Sequence, residues 1–212
     1  MKPDRHIPER IVDAALELAA VDGWEAVRLV DVAAATGLSL EDIRQHFREK
    51  EALVEAFFDR ADRAMLEVAA SAEFKALPSR ERVHRAIMVW LDTLAPWRSV
   101  VRQMILNKLE PGHLHVQIPA LLRVSRTVQW VREAAGRRAT FMRRAVEESI
   151  LTAIYLTTFV HWMRDDSSGA QDTRRLLGRL LKRAQSVEGL VGHIDDRAPE
   201  PAHSSSRRND GG

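Results

Sequence analysis

Arg44, Gln45 and Lys50, with Arg28 upstream, are the side chains here best suited to hold a polyanion and read it. A guanidinium fork fits a guanine edge or a phosphate, a glutamine amide fits adenine, and an ammonium binds phosphate as a point charge. All but Arg28 fall within residues 30–53, VDVAAATGLSLEDIRQHFREKEAL. Ser39, Leu40, Glu41, Arg44 and Gln45 share the outward side of one short predicted helix, while Val32, Ala33, Leu38, Ile43 and Phe47 point inward.

The spacing that places them is a helix-turn-helix. A helix over 29–36 stops at Gly37, where a positive φ costs little. Ser39 then caps a second helix over 40–47, with Asp42 as its capping-box partner. In such a module the second helix presents its start and outer face to the major groove. Arg28 and Lys50 flank it, near helix starts that favour phosphate. The charge runs against this reading. Residues 1–50 hold seven Lys or Arg and ten Asp or Glu, a net of −3. Glu41 and Asp42 open the reading helix, where a phosphate repels them, and duplex affinity needs several cationic contacts.

The remainder reads as helical almost throughout. A first helix has Pro8 in its first turn, an apolar face of Ile11, Ala14, Ala15, Leu18 and Ala19, and an end at Asp22-Gly23. A fourth runs from Glu49 to Ala72 with Leu53, Phe57, Ala61 and Ala64 on one face, and Ser79 caps a fifth ending at Leu94. Others span 97–109, 120–135, 140–163 and 170–187, with a Pro- and Gly-containing loop over 110–119. The expected organisation is all-α: a head over 1–53, a body over 54–190 and a disordered polar tail over 191–212.

Length and composition agree with this. The chain has 212 residues, 45% hydrophobic, enough for a sizeable core. With no cysteine it can form no disulfide, which fits a reducing cytoplasm. No apolar leader opens the chain and no uncharged apolar run is long enough to cross a bilayer. His113 and His115 alone are too few for a zinc site. No nucleophile–base pair, paired carboxylates or phosphate-cradling Gly loop is apparent, so neither an enzyme nor a cofactor is expected.

The eighth predicted helix, 140–163, carries apolar residues on more than one face, as a buried body helix does. Met104, Trp130, Tyr155, Thr158, Phe159, His161 and Trp162 are the candidate pocket residues, with Tyr155, Thr158 and His161 able to orient a ligand; the other reading is that these side chains are core. Between Arg123 and Arg144 seven Arg stand against one Glu, a face for an acidic ligand or lipid surface, or a solvated run paired with Glu147, Glu148, Asp165 and Asp166.

Residues 9–66 resemble the DNA-binding head of the tetracycline-repressor (TetR) family of bacterial regulators. The matching residues are Ala14, Ala15, Leu18, Gly23, Val32-Ala33, Gly37-Leu38-Ser39, His46-Phe47, Lys50-Glu51 and Leu53. The resemblance implies an all-helical homodimeric repressor, paired through the eighth and ninth predicted helices, that binds an operator duplex and a small apolar or amphipathic effector. It places Arg28, Ser39, Arg44, Gln45, His46 and Lys50 at DNA. Arg44 stands where that family usually has an aromatic residue, and Asp42 where it has a small hydroxyl residue.

Residues 120–183 resemble a family that assists ubiquinone biosynthesis by binding lipids, itself of TetR-like fold. Trp130, Ala135-Gly136, Arg143-Arg144, Tyr155, Thr158, Trp162, Asp165-Asp166-Ser167, Thr173, Leu177 and Arg179 carry this match. The alternative it implies is a lipid or quinone-precursor binding accessory protein with a vestigial head. That family's amphipathic membrane helix has only the short stretch 187–194 as a counterpart here.

Overall fold

The computed structural model describes residues 6–108, 126–135 and 141–195, and all regular elements among them are helical. Helix α1 is His6–Asp22, α2 Leu29–Thr36, α3 Leu40–His46, α4 Lys50–Ala70, α5 Ala72–Ala76, α6 Ser79–Leu94 and α7 Arg98–Lys108. Helix α8 covers residues 126–134, α9 Phe141–Trp162 and α10 Gln171–Asp195. The loop 110–119, the His113–His115 pair and residues 196–212 lie outside the described residues.

Helices α1 to α3 close on Ile11, Val12, Leu16, Val32, Ile43 and Phe47, all buried. The buried face of α1 is rotated from the expected one: Val12 and Leu16 are inside, whereas Ala14 and Leu18 are half-buried. The α2–α3 turn is made at Gly37, with φ +70°, while the Leu38 N–H returns 3.1 Å to the Ala33 carbonyl. A Cβ at Gly37 would meet nothing within 4 Å, so conformation rather than space requires glycine.

Helix α4 leaves the head and packs along α6, burying Leu53, Val54, Phe57, Phe58, Ala61 and Met65. It ends at Ala70, earlier than expected. Ser71 leaves helical geometry and its hydroxyl accepts the Phe74 N–H at 3.1 Å, starting the short α5 that drives Phe74 fully inside. Ser79 is not the cap of α6. Pro78 holds that position and its carbonyl accepts the Arg82 N–H at 3.0 Å, leaving Ser79 as the first helical residue. Helix α10 passes the expected end at residue 187 and runs to Asp195, into the stretch read as a disordered tail.

An aromatic row binds the body together. Phe58 stacks on Trp90 at 5.8 Å, Trp90 meets Tyr155 and Phe159 edge-on at 5.5 and 5.9 Å, and Phe159 stacks on Trp162 at 5.9 Å. The row joins α4, α6 and α9.

Candidate nucleic-acid interface

Helix α3 has only Ile43 buried, so the rest of its surface is available. Ser39, Leu40, Glu41, Asp42, Arg44, Gln45 and His46 are all exposed, as is Arg28. Sequence spacing and structure therefore agree on which side of α3 faces outward.

Both leading carboxylates are engaged within the helix. The Asp42 carboxylate accepts the Ser39 N–H at 2.9 Å and its hydroxyl at 2.6 Å, and Ser39 Oγ accepts the Asp42 N–H at 3.1 Å. This is the expected capping box, and the Ser39 hydrogen bonds hold the Asp42 carboxyl below its ordinary range. Glu41 takes two parallel bonds from Arg44, through Nε and Nη2, each 2.7 Å. These bonds, against slight desolvation and with a further one from Gln45, lower the Glu41 carboxyl, and Arg44 is raised in turn.

Arg28 is held in the same way, donating from Nε and Nη2 to Asp31 at 2.8 Å each. Lys50 is the one candidate drawn into the fold. Its ammonium lies 5.0 Å over the Trp24 ring and donates to the Glu25 carbonyl at 3.1 Å. Trp24 is itself buried, and its backbone N–H donates 2.7 Å to Gln103 Oε1 of α7. A contact chain thus runs from the body through the α1–α2 loop to the start of α4. Sequence reasoning missed Gln103, Arg10, whose Nη2 donates to the Thr36 carbonyl at 2.9 Å, and Arg48, exposed between α3 and α4. Arg10 and Gln103 touch their partners across distant sequence, which no spacing rule reveals.

The candidate pocket residues divide sharply. Met104, Tyr155, Thr158, Phe159 and Trp162 are buried in the packed core; Thr158 Oγ1 donates to the Ile154 carbonyl at 2.7 Å, and His161 Nδ1 lies 3.2 Å from Thr173 Oγ1. Trp130 behaves differently: 43% exposed, it lines a groove of about 520 Å³ between α4 and α8, with Asp59, Arg63, Leu66, Glu67 and Arg126. From the arginine-rich segment, Arg132 is buried and lies 3.1 Å from Glu148 and 4.0 Å from Glu147, and Arg126 lies 3.5 Å from Glu55. Arg132 thus pairs with Glu147 and Glu148 as expected but is buried rather than solvated, Arg126 pairs with Glu55 instead, and the side chains of the other five arginines lie outside the described residues. Among the described residues no group of three or more His, Cys, Asp or Glu is placed to hold a metal ion, and no helix is long and apolar enough to cross a membrane.

A TetR transcriptional regulator from Nitrosomonas europaea, known from its crystal structure, is 55% identical in sequence, with 84% of this chain and 97% of that one covered and a TM-score of 0.76. This chain belongs to the TetR family of transcriptional regulators. The sequence model for bacterial regulatory proteins of the tetR family matches residues 11–57, which hold most of α1, all of α2 and α3 and the start of α4. A second model, COQ9, matches residues 121–188, within the body. More distant TetR-family structures share the fold: one from Rhodococcus sp. RHA1 at 22% identity, covering 82% of this chain and 94% of that one with a TM-score of 0.58, and one from Streptomyces coelicolor at 15%, covering 92% and 90% with a TM-score of 0.59. No curated protein matches. The family makes this a DNA-binding transcriptional regulator.

Proposed function

We propose that this TetR-family regulator is a cytoplasmic homodimeric repressor whose α3 enters successive major grooves of an operator and whose affinity falls when a small apolar or amphipathic effector occupies the body. The outward, unburied face of α3 carries the reading. On it Arg44 meets guanine and Gln45 adenine, with Ser39, Leu40 and His46 alongside, while Arg28 and Lys50 approach phosphates. The Trp130 groove favours an effector site against α4, because α4 begins at Lys50, shortly after α3, and packs against α1 of the head. The domain limits of 1–53, 54–190 and 191–212 belong to this proposal.

Selection from a random duplex library at two salt concentrations tests it. The parent protein enriches a two-fold symmetric site, with affinity falling steeply as salt rises. Arg44→Ala loses preference at one base pair per half-site, worth about 1–3 kcal/mol, whereas Lys50→Ala weakens all duplexes alike. A protein that enriches no duplex at low ionic strength is not a repressor of this kind.

The proposed dimer face lies on α9 and α10. Val146, Ser149, Ala153, Leu156 and Val160 recur at alternating three- and four-residue intervals along one exposed side of α9, the spacing of a helix-pairing seam. Leu156 and Val160 keep 37% and 42% of their surface in solvent and share that side with Val146, 60% exposed. Leu156→Glu is expected to shift the protein from dimer to monomer in sedimentation at micromolar concentration; a variant with the parent's mass places the interface elsewhere.

A further inference from the structure

The carboxylate most at odds with DNA binding sits beside the side chain most suited to it. Glu41 and Arg44 are one helical turn apart on the outward face of α3, joined by two 2.7 Å hydrogen bonds, and their side chains are 57% and 63% exposed. The bonds use Arg44 Nε and one hydrogen of Nη2. The opposite edge of the guanidinium, with both Nη1 hydrogens and the second of Nη2, is left open. That edge can still span guanine O6 and N7.

We infer that Glu41 is a positioning residue: it braces Arg44 so that the free guanidinium edge is presented to a base, and it cancels the charge with which Arg44 would otherwise bind any phosphate. This rests on the reading of α3 proposed above. An unbraced arginine has several rotors to order on meeting a base, and it binds any nearby phosphate equally well. The braced one has little net charge to offer a phosphate but keeps its directional donors. Arg28 and Asp31 form the same two-bond pair beside α2. The net negative charge of the head then suppresses binding to arbitrary sequence and leaves selectivity to hydrogen-bond geometry.

The experiment compares the full-length parent, Glu41→Gln, Arg44→Ala and the double variant, each checked by thermal melting. One probe is a fixed duplex of arbitrary sequence titrated with salt; the other is the random duplex library. Glu41→Gln, which preserves shape and removes charge, is expected to bind the fixed duplex several-fold more tightly, with a plot of log affinity against log salt steeper by about 0.9 per head. In the library it loses about tenfold preference at one base pair, the same pair that Arg44→Ala affects, and the double variant loses no more. An unchanged slope and preference overturns the inference. So does a loss at a different base pair, which would make Glu41 a direct reader of cytosine. If Arg44→Ala keeps every preference, the brace has nothing to serve and the inference falls while the regulator stands. A parent that enriches nothing removes both.

Discussion

Asp165→Ala is expected to lower the unfolding free energy by about 3 kcal/mol at neutral pH, measured by chemical denaturation. Asp165 is buried between the end of α9 and the start of α10. Its carboxylate accepts from Ser167 N at 2.8 Å, Ser167 Oγ at 2.5 Å, Thr173 N at 2.8 Å and Thr173 Oγ1 at 2.6 Å. Truncation leaves these donors around a cavity, so the cost exceeds that of one ordinary hydrogen bond. The Asp165 carbonyl also accepts from Arg98, and that of Met163 from Arg102, so the corner ties α7 to the proposed dimer helices.

The pH dependence follows from the same bonds. Burial by itself would raise the Asp165 carboxyl, but hydrogen bonds from Ser167 and then Thr173 outweigh it and hold the group far below its ordinary range. A carboxyl depressed in the folded state stabilises fully above its unfolded value, about 4, and loses that contribution as the pH falls toward the folded one. The stability gap between parent and variant therefore narrows below about pH 4. A gap that is constant with pH, or that widens in acid, would show that the carboxylate's charge is not what holds the corner.

Asp62→Ala is expected to cost about 2–3 kcal/mol, and Asp62→Asn roughly half as much, because the amide oxygen still accepts a hydrogen bond. Asp62 is buried on α4, where Oδ1 accepts from Trp90 Nε1 of α6 at 2.7 Å and from Thr127 Oγ1 of α8 at 3.2 Å. The alanine leaves an indole N–H and a hydroxyl inside without that acceptor. Since α4 joins head and body, the loss also loosens the element through which the effector is proposed to act. Paired denaturation curves check the order of the three proteins; an alanine variant as stable as the parent would mean that the aromatic row alone clamps α4 to α6.

Much of the head was legible because its signals are local. Gly37 supplies the turn, Ser39 and Asp42 cap one another three residues apart, and Ile43 and Phe47 mark the buried side. The Glu41–Arg44 pair has the same reach and was open to the same reading; counting Glu41 only as charge hid it. The break at Ser71 was missed for a related reason, since Ser71 with a burying Phe74 competes successfully against continued helix.

The body was legible in kind and not in detail. Tyr155, Thr158, Phe159 and Trp162 have the composition of a pocket wall and of a core alike, and only the facing elements distinguish them. Trp90 fills the space beside Tyr155 and Phe159, whereas Trp130 keeps 43% of its surface exposed among the described residues. Lys50 had the charge of a phosphate ligand, and the Trp24 ring and Glu25 carbonyl that fix its half-buried position come from another part of the chain.

By itself, then, the order of residues determined the helices, the helix-turn-helix and its outward face, because capping, turn chemistry and apolar periodicity act within a turn or so of backbone. Tertiary structure alone decided which buried aromatics close on one another, which carboxylates receive donors from distant helices and which cations are drawn inward. Those outcomes depend on which surfaces meet, and interactions between residues far apart in sequence leave no period to read.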